Sequence, residues 1–164
     1  IDCNQSLNST NYKYLYNEIY KLKKFFPNII VEQPLPYTSL NDYMNLPLEI
    51  RKTTILDESI VDTNDLIFAK EYQFYGVKLK SCKQGSFKSL IEFAELANKL
   101  NLKVSIGNGF SSHYANIHEL LAYALRPDLF WGGSESIGFY RLSASQIKEL
   151  EPAMEACFLL SKNL

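Results

Sequence analysis

The chain has 164 residues, 46% of them hydrophobic, which is enough for one globular domain with a real core, since about 70% of the unfolded surface is buried at this size. Lysine plus arginine is 17 and aspartate plus glutamate 18, and the formal net charge of -1 excludes a general attraction to nucleic acid or to acidic membranes. No apolar run approaches the roughly 18 to 20 residues that cross a bilayer, and no basic segment plus long apolar stretch opens the chain, so a soluble, cytoplasmic protein without a membrane partner is expected. Cys3, Cys82 and Cys157 form no CxxC pair and are read as reduced, small, buried apolar residues, with a nucleophile activated by a histidine distant in sequence as the alternative.

In chain order, a strand ends at Asp2, and a helix is predicted over residues 12–26 with Leu15, Ile19, Leu22 and Phe26 at helical spacing and residues 8–11 as cap. IIVEQPLP is a strand that stops at Glu32, and residues 38–50 form a short helix. TTILDESI is a strand that stops at Asp57, followed by a short helix over 61–71. FYGVKLK ends a strand at Lys78, and the helix over 87–102 presents Leu90, Phe93, Ala94, Ala97 and Leu100 as one apolar stripe. KVSIG ends a strand at Ile106, a helix covers 116–125, a last strand ends near Trp131, and a helix covers 144–160. Trp131 and the 11 tyrosines are read as core and interface residues, because no basic stripe accompanies them.

Successive strand ends lie 21 to 30 residues apart, the length of one strand, one helix and two short loops, so about six βα units fit the chain. Strands alternating with helices predict an α/β fold with a parallel sheet covered by helices, either doubly wound or closed into a barrel. An open nucleotide-binding sheet carries a glycine-rich loop after its first strand, and here that strand ends Asp2-Cys3-Asn4-Gln5. A barrel gathers polar side chains at the ends of many strands, and the chain does so at nearly all six. The expectation is therefore a partial TIM-type (β/α) barrel, six units of eight, over residues 1–164 as a single domain without an internal linker.

Asp2, Glu32 and Asp57 each stand where an apolar strand should stop. Singly, each reads as a helix cap or a solvated loop acid. Three on successive strands would repel one another unless a cation neutralises them, and an oxygen-only donor set suits Mg²⁺ or Mn²⁺. Lys78 and Lys80 alternate with Val77 and Leu79. If the valine and leucine face the helices, both lysines point into the barrel, where burial near a metal would lower the amine's pKa and make it a general base. An edge strand with exposed lysines is the alternative.

The succession IDCNQSL, IIVEQPLP, ILDESI, GVKLK and KVSIGNGF resembles the enolase superfamily, in particular the carboxy-terminal barrel domain of the mandelate racemase and muconate lactonizing enzyme type, and within it the muconate lactonizing enzyme and dipeptide epimerase group. The resemblance covers five strand ends and implies that Asp2, Glu32 and Asp57 are metal ligands and that Lys78 is the acid/base on one face of a small carboxylate substrate, with Lys80 beside it. It implies proton removal α to the carboxylate through a metal-stabilised enediolate, with epimerisation, cycloisomerisation or dehydration, as in o-succinylbenzoate synthase, as outcomes. Asn4, Asn108, Ser111 and His113 lie where substrate contacts would fall, and Glu135 where some relatives place an acid that orients or protonates the substrate. His113 is read either as a ligand-facing residue or as a surface or cap residue, Glu135 either as that acid or as an exposed loop residue, and His118 as packed or solvated.

Members of this group carry a K-x-K pair on the strand before the first metal ligand, whereas this sequence begins Ile1-Asp2. The capping domain and first barrel strands are thus expected to lie outside the sequence, and a homo-oligomer or association with the missing amino-terminal part is expected to cover the exposed sheet edge. A noncatalytic barrel or assembly subunit is the alternative function.

Overall fold

The computed structural model describes residues 1–8, 10–107, 113–132 and 152. The elements in order are α1 (Tyr12–Leu22), β1 (Val31–Glu32), α2 (Leu40–Asn45), α3 (Leu48–Arg51), β2 (Thr54–Leu56), α4 (Thr63–Glu71), β3 (Gly76–Leu79), α5 (Ser81–Gln84), α6 (Phe87–Lys99), β4 (Lys103–Ile106), α7 (His113–Leu125) and a 3₁₀ turn, Pro127–Leu129. Strand and helix alternate as the apolar spacing requires, and the strands follow in the order β1-β2-β3-β4, with β1–β2 and β2–β3 pairing in parallel. Four strands and one isolated bridge at Asp2 are formed among the described residues, where six strand ends are expected. The segment before Trp131 is a 3₁₀ turn rather than a strand, and the Trp131 N–H donates to Val104 O at 2.7 Å. Pro127 supplies no N–H to a ladder, which favours the turn. No helix among the described residues is long and apolar enough to cross a membrane.

Two compact units are formed, Ile1–Val77 with Leu100–Leu102, and Lys78–Lys99 with Lys103–Leu164. In the first, Val31, Leu35, Leu56, Ile60 and Leu66 are fully buried, and the Tyr43 ring meets Phe74 edge to face at 5.9 Å. α4 begins at a reciprocal cap: the Asp62 carboxylate accepts from the N–H groups of Asn64 and Asp65, and the Asp65 carboxylate accepts from the Asp62 N–H. The expected helix over residues 38–50 is broken into α2 and α3 because Pro47 forces Leu46 to an extended ψ of 139°. α1 ends at Leu22, four residues short of expectation, and Phe26 is 61% exposed. Tyr14 and Tyr20 are exposed as well, so these tyrosines do not join the core.

In the second unit α6 buries Leu90, Ala94 and Ala97, the centre of its predicted stripe, with Phe93 half-buried at the margin; it ends at Lys99, so Leu100 falls outside it. Arg126 at the end of α7 donates to Glu95 at 2.7 Å and, through two nitrogens, to Asp128. That fork holds the Asp128 carboxyl below the usual range. Cys82 is exposed and Cys3 half-buried, which corrects the expectation of buried cysteines; burial nonetheless pushes the Cys3 thiol up. Cys157 and the helix expected over 144–160 lie outside the described residues.

Candidate functional site

The first unit assembles the acidic strand ends. The Glu32 N–H donates to Ile1 O at 2.8 Å and the Cys3 N–H to Glu32 O at 3.0 Å, so Asp2 stands directly beside Glu32 in a parallel bridge. Glu32 in turn pairs with Ile55, and Asp57 follows two residues later, one past the end of β2. Laterally paired residues and residues two apart share a sheet face, so this register puts Asp2, Glu32 and Asp57 on one side. After the bridge the chain stays fastened to the EQPLP segment, through Gln5 N to Gln33 O at 2.8 Å and Leu7 N to Pro34 O at 3.0 Å.

The three carboxylates have unequal surroundings. Asp2 is exposed, and its Oδ1 accepts the Asn4 N–H at 2.8 Å, a local Asx turn that Asn4 permits with φ 45°. Glu32 is half-buried, whereas Asp57 is only 2% exposed. Among the described residues, no three histidine, cysteine, aspartate or glutamate side chains are gathered closely enough to hold a metal ion. The three acids therefore share a face by backbone position, while their side chains do not converge.

The residue that holds the Asp57 strand end is Gln33. It is fully buried, and its φ of 36° turns the chain sharply after Glu32. Its Oε1 accepts the Asp57 N–H at 2.7 Å, and its Nε2 donates to Tyr43 Oη at 2.8 Å and to Ser59 Oγ at 2.7 Å. Tyr43 Oη donates to Leu35 O and accepts the Leu35 N–H at 3.0 Å. Burial pushes the Tyr43 phenol well above its ordinary value. Sequence reasoning passed over Gln33, Tyr43 and Ser59, although Gln33 lies inside the EQPLP motif. A glutamine after a strand-end acid was the available signal; Tyr43 and Ser59 carried none.

The second unit holds the lysines. Lys78 is 3% exposed and lies inside β3, whose four residues are all buried, so the exposed edge strand is excluded. Lys80 is half-buried and has left the strand, occupying the N-cap position of α5, which closes on Gly85 in the left-handed region at φ 80°. Lys83 Nζ donates to the Lys78 carbonyl at 2.9 Å. Another residue unmarked by the sequence reading is Glu119, fully buried on α7, which accepts from the Ser81 N–H at 3.0 Å, the Ser81 hydroxyl at 3.3 Å and Asn116 Nδ2 at 3.2 Å. Burial raises its carboxyl above the usual range, opposed by those hydrogen bonds. Asn4 is exposed, His113 opens α7, and His118 is exposed on that helix. Asn108, Ser111 and Glu135, together with the side chain of His113, lie outside the described residues.

No family model and no curated protein matches the chain. Solved structures do. A muconate cycloisomerase from Azorhizobium caulinodans superposes with a TM-score of 0.69 at 21% identity, over 83% of this chain and 37% of that one. The fold of the described residues is that of part of such an α/β barrel. The L-Ala-D/L-Glu epimerase from Bacillus subtilis gives a TM-score of 0.68 at 14% identity, over 84% of this chain and 38% of that one. A dipeptide epimerase from Methylococcus capsulatus, complexed with Mg and the dipeptide L-Arg-D-Lys, gives 0.62 at 22% identity over 76% and 34%. The chain thus spans a little over a third of the length of these enolase-superfamily structures, and its four described strands form part of such a barrel.

Proposed function

We propose that the chain carries the carboxylate strand ends and a lysine strand of an enolase-superfamily isomerase or lyase that moves a proton α to a substrate carboxylate. The observation that carries this reading is the register, with Asp2 beside Glu32, Glu32 paired with Ile55, and Asp57 two residues on. The donor set, three carboxylates at adjacent strand ends, fits a hard divalent cation, Mg²⁺ or Mn²⁺. That fit is one of donor type and backbone position, since Asp2 Oδ1 is engaged by the Asn4 N–H. When bound, such an ion supplies positive charge against the substrate carboxylate and the charge that develops as the proton leaves. Asp57, buried and with its backbone N–H held by Gln33, gives a fixed point in the set.

Lys78 takes and returns the proton at Nζ, with Lys80 beside it as the second lysine. Support comes from the burial of Lys78 and from the order of strand ends, which matches the superfamily pattern. Asn4, Asn108, Ser111 and His113 would contact the substrate, and Glu135 would orient or protonate it. The neighbours are named as dipeptide epimerase, muconate cycloisomerase and N-succinyl Arg/Lys racemase, so dipeptides, N-acyl amino acids and small diacids are the substrates to screen first. A cytoplasmic, homo-oligomeric protein, or one associated with a segment supplying further barrel strands, is part of the same proposal.

A second reading, a noncatalytic barrel part contributed to an assembly, is favoured by the ungathered side chains of the three acids. Calorimetric titration of Mg²⁺ into the chain and into Glu32→Gln separates the two. Binding by the chain that is lost in the variant supports the metal site. Binding by neither, or equal binding by both, favours the second reading.

A further inference from the structure

Lys80 occupies a position where lysine is a poor local choice. The residue before the first turn of a helix normally offers a side-chain oxygen to the unpaired N–H groups of that turn, and lysine has no acceptor to offer. Lys80 makes no side-chain cap bond to α5, and the Lys83 N–H that such a cap would serve donates to Lys80 O at 2.9 Å instead. The Ser81 N–H, the first of the turn, is out of reach of any side chain at position 80 and takes another partner. That partner comes from a distant helix. Glu119 Oε1 accepts the Ser81 N–H at 3.0 Å and lies 3.3 Å from the Ser81 hydroxyl, which also donates to Ala115 O at 3.1 Å. Asn116 Nδ2 holds the other carboxylate oxygen at 3.2 Å. The Lys80 N–H is taken up by Gln84 Oε1 at 2.8 Å, so the turn is tied at two points. A fully buried glutamate on the packed side of α7, where an apolar residue would cost less to bury, needs such a compensating use.

We propose that Glu119 is a positioning residue: from α7 it holds the Ser81 N–H and hydroxyl next to Lys80, and thereby sets where Lys80 leaves β3. The inference rests on Lys80 belonging to the lysine pair of the proposed activity, yet its test requires neither metal nor turnover.

The test compares the full chain with Glu119→Gln and Glu119→Ala by amide hydrogen exchange and by competitive amine labelling, with the exposed Lys88 as internal reference. In Glu119→Ala, exchange should rise several-fold over residues 80–84 and Lys80 labelling should rise toward the Lys88 rate, while exchange across α6 stays at the wild-type level. Glu119→Gln keeps an acceptor for the Ser81 N–H and should restore both readouts. Unchanged exchange at Ser81 in Glu119→Ala would overturn the proposal, as would a rise spread evenly over the whole unit, which marks a merely structural role. Should Glu119→Ala fail to fold, Glu119→Gln decides: wild-type labelling of Lys80 supports the proposal, and labelling at the Lys88 rate sinks it. A null result here leaves the Mg²⁺ titration untouched, and failed Mg²⁺ binding leaves this result standing.

Discussion

Asp57 and Asp2 are the same residue type at equivalent places, each at or just past the end of a strand, but the fold treats them differently. Asp57 is buried, and its backbone N–H is gripped by a glutamine that also holds Tyr43 and Ser59. Asp2 is exposed and is steadied by its own Asx turn and by the backbone of the neighbouring strand end. The difference shows that a carboxylate's place in the sheet comes from strand register, whereas its rigidity comes from side chains underneath that belong to other segments. One strand end is buried and held by side chains, the other exposed and held by backbone.

That contrast can be broken most severely at Gln33. Gln33→Leu keeps the volume, strands the Asp57 N–H and takes the Nε2 donor from the Ser59 hydroxyl, and should cost about 3 kcal/mol or more in chemical denaturation, from roughly 1 to 3 kcal/mol for each buried group left unpaired. A loss under about 1 kcal/mol would mean that the Asp57 end does not depend on the network.

Tyr43→Phe should have a smaller effect, about 1 to 3 kcal/mol, because it orphans chiefly the buried Leu35 N–H. The tyrosine also predicts a pH dependence. Its folded-state pKa is raised, so the stability it contributes is fully present below the ordinary tyrosine value of about 10 and is lost as pH rises through and above it. Denaturation midpoints followed from neutral to strongly alkaline pH should fall more steeply for the wild-type chain than for Tyr43→Phe; parallel curves would mean that the phenol is not held neutral by the fold.

The smallest stability effect is expected at the other end of the comparison. Asp2→Asn keeps an acceptor for the Asn4 N–H on an exposed loop and should leave the melting temperature unchanged, while lowering Mg²⁺ affinity if the proposed site is correct. A melting temperature that drops as far as in Tyr43→Phe would show that the two strand ends are supported alike.

Much of the architecture was legible because apolar spacing is a local signal. The stripe of α6 and the strands before Glu32 and Asp57 follow from it, whereas spacing left Lys78 open between a buried strand and an exposed edge. The break between α2 and α3 was also written locally, in Pro47, but the apolar pattern on either side masks it. The 3₁₀ turn before Trp131 and the exposure of Phe26 and Cys82 were not legible, because a short apolar run reads alike as strand, turn or helix end until its neighbours are known.

The sequence by itself determined the alternation of strands and helices, the three acids at strand ends and Lys78 on the following strand. These follow from residue type and spacing along one segment, where nearest-neighbour physics suffices. Tertiary structure alone decided that Asp2, Glu32 and Asp57 fall on one face, that Gln33 anchors the last of them, and that Glu119 holds a turn 38 residues away. Those outcomes depend on strand register and on hydrogen bonds between segments far apart in the chain, for which a single polar residue in a linear sequence carries no mark of its partner.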